Sequence, residues 1–262
     1  MSNENTLLTK LKHLPPEYHR LPSGGLLYKN NELNDNVKNG EIEFYPYTAI
    51  DELDMKSPDL MLDGRAITRV LNRCVPGIRK PLDLYVRDLD FIMMALRKAS
   101  YGDTYEISYV HDCEHAKRHD YKISLTKLMN KAKFIDPSTL SNMYTVTVGT
   151  DDISYTVNLR PLRAKHAIDI LQHFDKELTD EERKMNLFSI FMFSINDVDG
   201  ITDTKSILEW LGQIPIMWLD PINTRIEEIS NWGVSPEVDE VCQDCGAPIK
   251  LIVQVNPLTF FI

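Results

Sequence analysis

Two stretches in the middle of the chain alternate apolar and polar residues, the pattern of half-buried β-strands. The first alternates over Tyr105–Tyr109, passes through a polar segment at residues 111–120, and resumes the alternation at Tyr121. The second places Tyr144–Val148 and Ile153–Leu159 on either side of a Gly-Thr-Asp-Asp turn. Because a polar turn joins each pair, we expect two antiparallel hairpins, each with one apolar face packed against helices.

A helical period dominates the later part of the chain, between residues 162 and 232. A capping box at Thr179 precedes the apolar run Leu187–Ile195. Asp220-Pro221 places a capping residue before a first-turn proline, which predicts a helix that begins there. Between these helices, residues 196–200 predict a turn. Earlier in the chain, Thr48 and Asp51 form a further capping signature.

The first forty residues contain chain breakers instead of a regular period, including Leu14-Pro15-Pro16 and a Pro-Ser-Gly-Gly segment after Leu21. This composition predicts an extended arm that lies over its own domain or over a neighbour, with a poorly ordered tail as the alternative. We expect the arm to contact partner chains more than its own core, through scattered anchors such as Leu21, Leu26 and Tyr28.

These patterns together predict an α+β fold in which antiparallel hairpins pack with a mainly helical C-terminal half. We expect an N-terminal arm over residues 1–40 and a mixed region with two hairpins over residues 41–160. We expect residues 161–262 to form a helical region that ends in a zinc-knuckle-like hairpin. Phe260-Phe261-Ile262 should be buried, either beside this knuckle or in a pocket of a partner.

Composition narrows the possible functions. The chain has 43% hydrophobic and 26% charged residues, which are ordinary values for a globular protein. Its formal net charge of -10 argues against a nucleic-acid binder with a broad basic surface. A polar start and the absence of a long apolar run predict a protein without a signal segment or membrane span, kept in a reducing cytoplasm.

Candidate chemistry is concentrated near the end of the sequence, at Cys242-Gln243-Asp244-Cys245-Gly246. Two cysteines separated by two residues can bind one tetrahedral zinc ion, and the glycine avoids a side-chain clash beside the metal. A redox role is less favoured because a strand-like segment follows the motif. A knuckle supplies two ligands and structural zinc needs four, so two ligands must come from elsewhere.

The polar turn of the first hairpin offers these ligands, because it contains Cys113 and three histidines at positions 111, 115 and 119. Cys113 and one histidine would complete a closed site with three cysteines and one histidine, which would be structural and not catalytic. The alternative is a solvated polar turn and a Cys-x-x-Cys motif without metal. Cys74 stands alone and is expected to be a small core residue.

Several short motifs follow one another along the chain: Leu21–Gly25, Asp63–Ile67, the Cys/His hairpin tip, Val198–Gly200, Leu208–Leu211, Cys242–Gly246 and Asn256–Phe261. Their order resembles the baseplate hub and hub-assembly family of T-even-type, contractile-tailed bacteriophages. The resemblance covers most of residues 20–262.

The resemblance implies a non-enzymatic structural or assembly protein of the tail baseplate, located in the virion or in the host cytoplasm during assembly. It implies other baseplate and hub proteins as partners, the tape-measure protein included, and neither nucleic acid nor membrane. Family members commonly have Cys-x-x-Cys at the hairpin tip as well as at the C-terminal knuckle. In this chain the hairpin tip has Cys113, but Ala116 stands where the second cysteine is expected. His115 or His119 would then substitute. The candidate zinc ligands are Cys113, His115, His119, Cys242 and Cys245.

Two other functional classes remain open. A small zinc-binding regulatory or nucleic-acid-associated protein would need clustered basic residues, but Glu237, Asp239, Glu240 and Asp244 surround the knuckle. An enzyme that used the Cys/His cluster would need an open metal position and a general base nearby. We find no phosphate-binding glycine loop and no other catalytic motif in the sequence.

Overall fold

The alternating segments fold as strands and the apolar stripes as helices in a computed structural model, which describes residues 15–113, 117–140, 144–174, 188 and 190–253. The α+β prediction is confirmed. The strands are β1 (Glu17–Arg20), β2 (Glu41–Phe44), β3 (Thr104–Val110), β4 (Arg118–Ser124), β5 (Thr145–Gly149), β6 (Ser154–Leu159), β7 (Ile195–Val198), β8 (Glu237–Val241) and β9 (Pro248–Ile252). The helices are α1 (Ala49–Met55), α2 (Pro58–Leu62), α3 (Arg65–Cys74), α4 (Val86–Tyr101), α5 (Leu125–Asn130), α6 (Ala164–Phe174), α7 (Thr204–Leu211) and α8 (Ile216–Ile229). Residues 190–194 are also helical, and short 3-10 turns lie at Pro81–Asp83 and Pro137–Thr139.

Both predicted hairpins are confirmed. Strands β3 and β4 pair antiparallel with Tyr109 opposite His119, and β5 and β6 pair antiparallel with Val146 opposite Val157. Strand β7 extends the second hairpin to three strands. Two further antiparallel pairs, β1–β2 and β8–β9, complete the sheets in the described part of the chain.

Strand β7 corrects the prediction of a turn between helices at residues 196–200. Ile195 and Val198 are buried, and Val198 lies opposite Val157 of β6. The sequence does not show this strand, because the two residues between Ile195 and Val198 are polar. In the fold, Asp197 accepts a hydrogen bond from the Asn158 side chain instead of facing water. The turn itself is shorter and lies at Asp199 and Gly200, both with positive φ.

Helix α8 also begins earlier than predicted, at Ile216, so that Pro221 lies inside the helix and not in its first turn. Trp218 and Leu219 pack against a buried cluster, and this packing extends the helix ahead of the proline. Pro221 lacks the N–H that would bond to the carbonyl of Met217, the residue four positions earlier. Because Met217 is exposed, water can solvate that carbonyl.

The N-terminal segment packs on its own chain at several places that the structure describes, in contrast to an arm that contacts mainly partners. Strand β1 pairs with β2, and Leu21 is fully buried in the core of this chain. The buried carboxylate of Asp88 accepts the backbone N–H of Ser23 at 3.0 Å and the hydroxyl of Tyr28 at 2.8 Å. Residues 17–44 are therefore part of the main fold, and residues 1–14 lie outside the described part.

Two buried clusters form most of the described core. The main cluster combines the N-terminal segment, α1, α3, α4, α5, β4 and the C-terminal hairpin β8–β9. The second cluster combines β5, β6 and β7 with α7 and α8. The C-terminal hairpin therefore packs with the N-terminal half of the chain, and this arrangement brings its turn close to the tip of the β3–β4 hairpin. The division of the chain into the three regions expected from the sequence stays a prediction.

Two expectations fall on residues outside the described part of the chain: the capping box at Thr179 and the burial of Phe260-Phe261-Ile262. Among the helices that the structure describes, none combines the length and the apolar character needed to cross a membrane.

Candidate metal centre

The register of strand β3 delivers a histidine to the candidate site. Tyr105, Ile107 and Tyr109 are the less exposed residues of β3 and pack against the main cluster. Side chains two residues apart share one face of a strand, so His111 continues this inward face just beyond the strand end. The backbone N–H of Cys113 donates to the His111 carbonyl at 3.0 Å, which turns the chain tightly and places both side chains at the hairpin tip.

The turn between β8 and β9 presents the two cysteines of the knuckle. The N–H of Cys242 donates to the Ala247 carbonyl, and the N–H of Gly246 donates back to the Cys242 carbonyl at 2.9 Å. Gly246 has a φ of 72°, a left-handed conformation that favours glycine. A Cβ at this position would meet no atom within 4 Å, so backbone conformation and not a clash explains the glycine.

These two turns bring four ligand atoms together. One nitrogen of His111 and the sulfurs of Cys113, Cys242 and Cys245 all lie within 4.8 Å of one another. Cys245 Sγ lies 3.4 Å from His111 Nδ1. Tetrahedral zinc with Zn–S near 2.3 Å and Zn–N near 2.0 Å separates a sulfur from a nitrogen by about 3.5 Å. The group therefore has the composition and the dimensions of a site that could bind a metal.

The electrostatics of the group favour a cation. The backbone N–H groups of Cys245 and Asp244 point at the Cys242 sulfur and lower the pKa of this thiol. The N–H of Ala247 has the same effect on Cys245, but desolvation and the neighbouring Cys242 and Cys113 thiols outweigh it and raise the pKa of Cys245. Three sulfurs this close cannot all carry negative charge unless a cation lies among them.

A second contact between the two hairpins does not involve the cysteines. His119 of β4 lies with its Nε2 at 2.8 Å from the Oδ2 of Asp244, the residue between Gln243 and Cys245. The hydrogen bond from His119 lowers the pKa of Asp244. The hairpin tip is therefore attached to the knuckle turn at two places: the four-residue group and this pair.

Three of the five residues expected to bind zinc lie in the four-residue group: Cys113, Cys242 and Cys245. His119 lies outside the group, paired with Asp244, and His115 lies outside the described residues. His111 was one of three histidines at the predicted hairpin tip, but the Cys-x-x-Cys spacing of the family favoured His115 or His119 as the fourth ligand. The period-two pattern of Tyr105, Ile107 and Tyr109, extended by one step, indicates His111 instead.

Cys74, the remaining cysteine, is buried in the main cluster, far along the chain from these turns. Burial and the nearby Asp51 carboxylate raise the pKa of the Cys74 thiol to about 12. A thiol with so high a pKa stays protonated at neutral pH and is a poor nucleophile. Its position agrees with the expectation of a small core residue.

Comparison with known families identifies the chain. A family model described as T4 bacteriophage base plate protein matches residues 27–262, which include both hairpins and all four residues of the Cys/His group. No curated protein and no solved structure matches the chain. Because the model spans nearly the whole sequence, this chain belongs to the T4 bacteriophage base plate protein family.

Proposed function

We propose that this protein is a non-enzymatic component of the central hub of the baseplate, which it helps to build through protein–protein contacts. Membership of a base plate family is the observation that carries the proposal, because it implies a phage tail protein with other tail proteins as neighbours. The more specific hub role is supported by the order of the short motifs between residues 20 and 262.

Zinc is the second part of the proposal. His111, Cys113, Cys242 and Cys245 would fill all four positions of a tetrahedral ion, and such a closed site leaves no position for a substrate. The ion would join two hairpins that are distant in sequence, so its binding energy would contribute to folding. Zinc would act here as a structural cross-link that keeps the C-terminal hairpin on the main cluster.

Metal content tests the zinc proposal directly. We expect the purified protein to contain one zinc ion per chain and a chelator to lower its melting temperature. Cys245→Ser should lose the ion and roughly 4 kcal/mol or more of unfolding free energy, because loss of a structural metal is among the most destabilising changes. Elemental analysis and thermal unfolding measure both effects.

Cys74→Ala is the matched control, since Cys74 is a buried cysteine outside the group. This variant loses some packing but should keep its zinc and its response to the chelator. A protein that contains no zinc and melts at the same temperature with and without chelator would contradict the proposal.

The hub role requires a test in the phage. We expect affinity-tagged protein from infected cells to co-purify with hub proteins of the baseplate, and phage that lack the protein to accumulate tails without a complete hub. Normal tails in its absence would exclude the role. The residues near the knuckle oppose a nucleic-acid-associated function, because Glu237, Asp239, Glu240 and Asp244 would repel phosphates.

A further inference from the structure

An exposed apolar surface lies at the start of helix α8, on the second cluster. Ile216 and Met217, the first two residues of this helix, are 78% and 69% exposed. The next residue, Trp218, packs on Tyr155 of β6 with ring centroids 6.1 Å apart. Trp210 of α7 approaches the same tyrosine at 5.5 Å. Three aromatic rings thus pack together at the first turn of α8, directly after two exposed apolar residues in the chain.

The β5–β6 hairpin extends this surface. Along β6, Tyr155 and Val157 face the second cluster, and Ile153 is the last residue of the turn before this strand, two positions ahead of Tyr155. Ile153 is 57% exposed. We name this surface the aromatic patch; its residues are Ile153, Tyr155, Trp210, Ile216, Met217 and Trp218.

Acidic residues predominate in the two segments that contain the aromatic patch. The two segments that build it, residues 144–159 and 195–221, contain seven aspartates and glutamates, one lysine and no arginine. Asp151 and Asp152 directly precede Ile153, and Asp220 lies one helical turn after Ile216. In the part of the chain that the structure describes, none of these three aspartates forms an ion pair.

The exposed apolar residues and the nearby carboxylates together indicate what kind of partner this surface would bind. Tryptophan, tyrosine and methionine are enriched at the centres of protein interfaces, where exposed apolar side chains lose their water. A rim of unpaired carboxylates attracts lysine and arginine and repels acidic surfaces, nucleic acid and a second copy of the same rim. An apolar centre with an acidic rim therefore fits an apolar segment that has basic residues on its flanks.

We propose that the aromatic patch docks a segment of another protein that presents large apolar side chains flanked by lysines or arginines. This inference rests on the proposed function, in that an assembly protein of the baseplate needs such contacts. It adds a location and a partner chemistry that the zinc centre does not supply, because the patch belongs to the second cluster and the Cys/His group to the hairpins on the main cluster.

A synthetic helical peptide with a leucine face and lysine flanks serves as the probe. A second peptide with the same leucines and glutamates in place of the lysines is its control. Trp210 and Trp218 lie in the patch and report binding by fluorescence, whereas Trp232 packs with Tyr85 in a separate cluster. We expect the lysine peptide alone to bind, with an affinity that falls as salt is added.

Substitutions then locate the binding surface. Ile216→Asp and Met217→Asp should each weaken binding of the lysine peptide by at least about tenfold, as expected for residues at the centre of an interface. Leu53→Asp is the matched control: this leucine is 70% exposed on α1, and the substitution should leave the affinity unchanged.

Three results would overturn the proposal: no binding of the lysine peptide, equal binding of both peptides, or an Ile216→Asp variant that binds as the parent does. A dimer of the isolated protein that Met217→Asp separates would also overturn it, because the occupant would then be a second copy. All these measurements use the purified protein, so they remain decisive even where co-purification with hub proteins fails and contradicts the proposed function.

Discussion

Asp88 shows how one residue fixes the path of the N-terminal segment. Its carboxylate is fully buried in α4 and accepts hydrogen bonds from Ser23 and Tyr28. Burial raises the pKa of Asp88 from 3.8 to about 6, although these hydrogen bonds partly offset the effect. Between pH 4 and pH 6 the folded chain therefore holds more protons than the unfolded chain, and the contribution of Asp88 to stability falls as the pH rises.

We expect Asp88→Asn to remove this pH dependence. From pH 4 to pH 7, the unfolding free energy of the variant should improve relative to the parent by about 2 to 3 kcal/mol, since each pKa unit corresponds to about 1.4 kcal/mol. Urea unfolding at a series of pH values measures the difference. If the unfolding free energies of the two proteins changed with pH in the same way, the raised pKa of Asp88 would be contradicted.

At this scale, the sequence identified the cysteines but not the histidine beside them. Soft ligand types and their spacing are visible in a sequence, so Cys113, Cys242 and Cys245 could be predicted. The choice between His111 and His119 depends on which way each side chain points at the end of β3 or in β4. That direction follows from strand register, which places His111 in the group and His119 opposite Asp244.

Helix α1 allows a direct test of an element boundary that was predicted and confirmed. Thr48 accepts the backbone N–H of Asp51, and Asp51 accepts the N–H of Thr48 in return, which completes the capping box. We expect Thr48→Ala to lower the unfolding free energy by about 1 kcal/mol, because an unpaired N–H remains at the helix start.

Ser57→Ala is the control for this cap. Ser57 precedes α2 in the same position but makes no side-chain capping bond, so its hydroxyl can be removed at little cost. Chemical denaturation of both variants gives the comparison. A similar loss for the two substitutions would mean that the Thr48 hydroxyl contributes nothing as a cap.

Elements were predictable where local pattern and packing agree, and not where packing overrides the local signal. The two hairpins and the Thr48 cap follow from local period and turn chemistry. Strand β7 has a polar centre, and α8 passes through Pro221, so both depend on contacts with the second cluster. Strand β1 was missed because its partner, β2, is distant in sequence and its own four residues are mostly polar.

At the scale of the whole molecule, the N-terminal segment contributes to the main cluster from β1 onward. Leu21 is fully buried in the main cluster, whereas Leu26 in the same segment is 40% exposed. We expect Leu21→Ala to lower the unfolding free energy by about 2 to 5 kcal/mol, because it leaves a cavity in the core. Leu26→Ala should cost less than about 1 kcal/mol.

Urea unfolding of the two alanine variants provides the measurement. Equal and small losses would restore the view of this segment as an arm that contacts partners. Deletion of residues 1–40 should remove cooperative unfolding for the same reason, since it takes Leu21 and the β1 half of a strand pair out of the main cluster.

The return of the β8–β9 hairpin to the N-terminal half has a consequence for synthesis on the ribosome. The second cluster draws its buried residues from Val148 to Ile229, whereas the main cluster draws them from Leu21 to Val253. The N-terminal half is synthesised first, but its core is completed only after β9, the last described strand, has been made. Until then its apolar surface stays exposed and can bind chaperones or aggregate. A chain that stops before Ile249 would keep the residues of its second cluster but could complete neither β9 nor the main cluster.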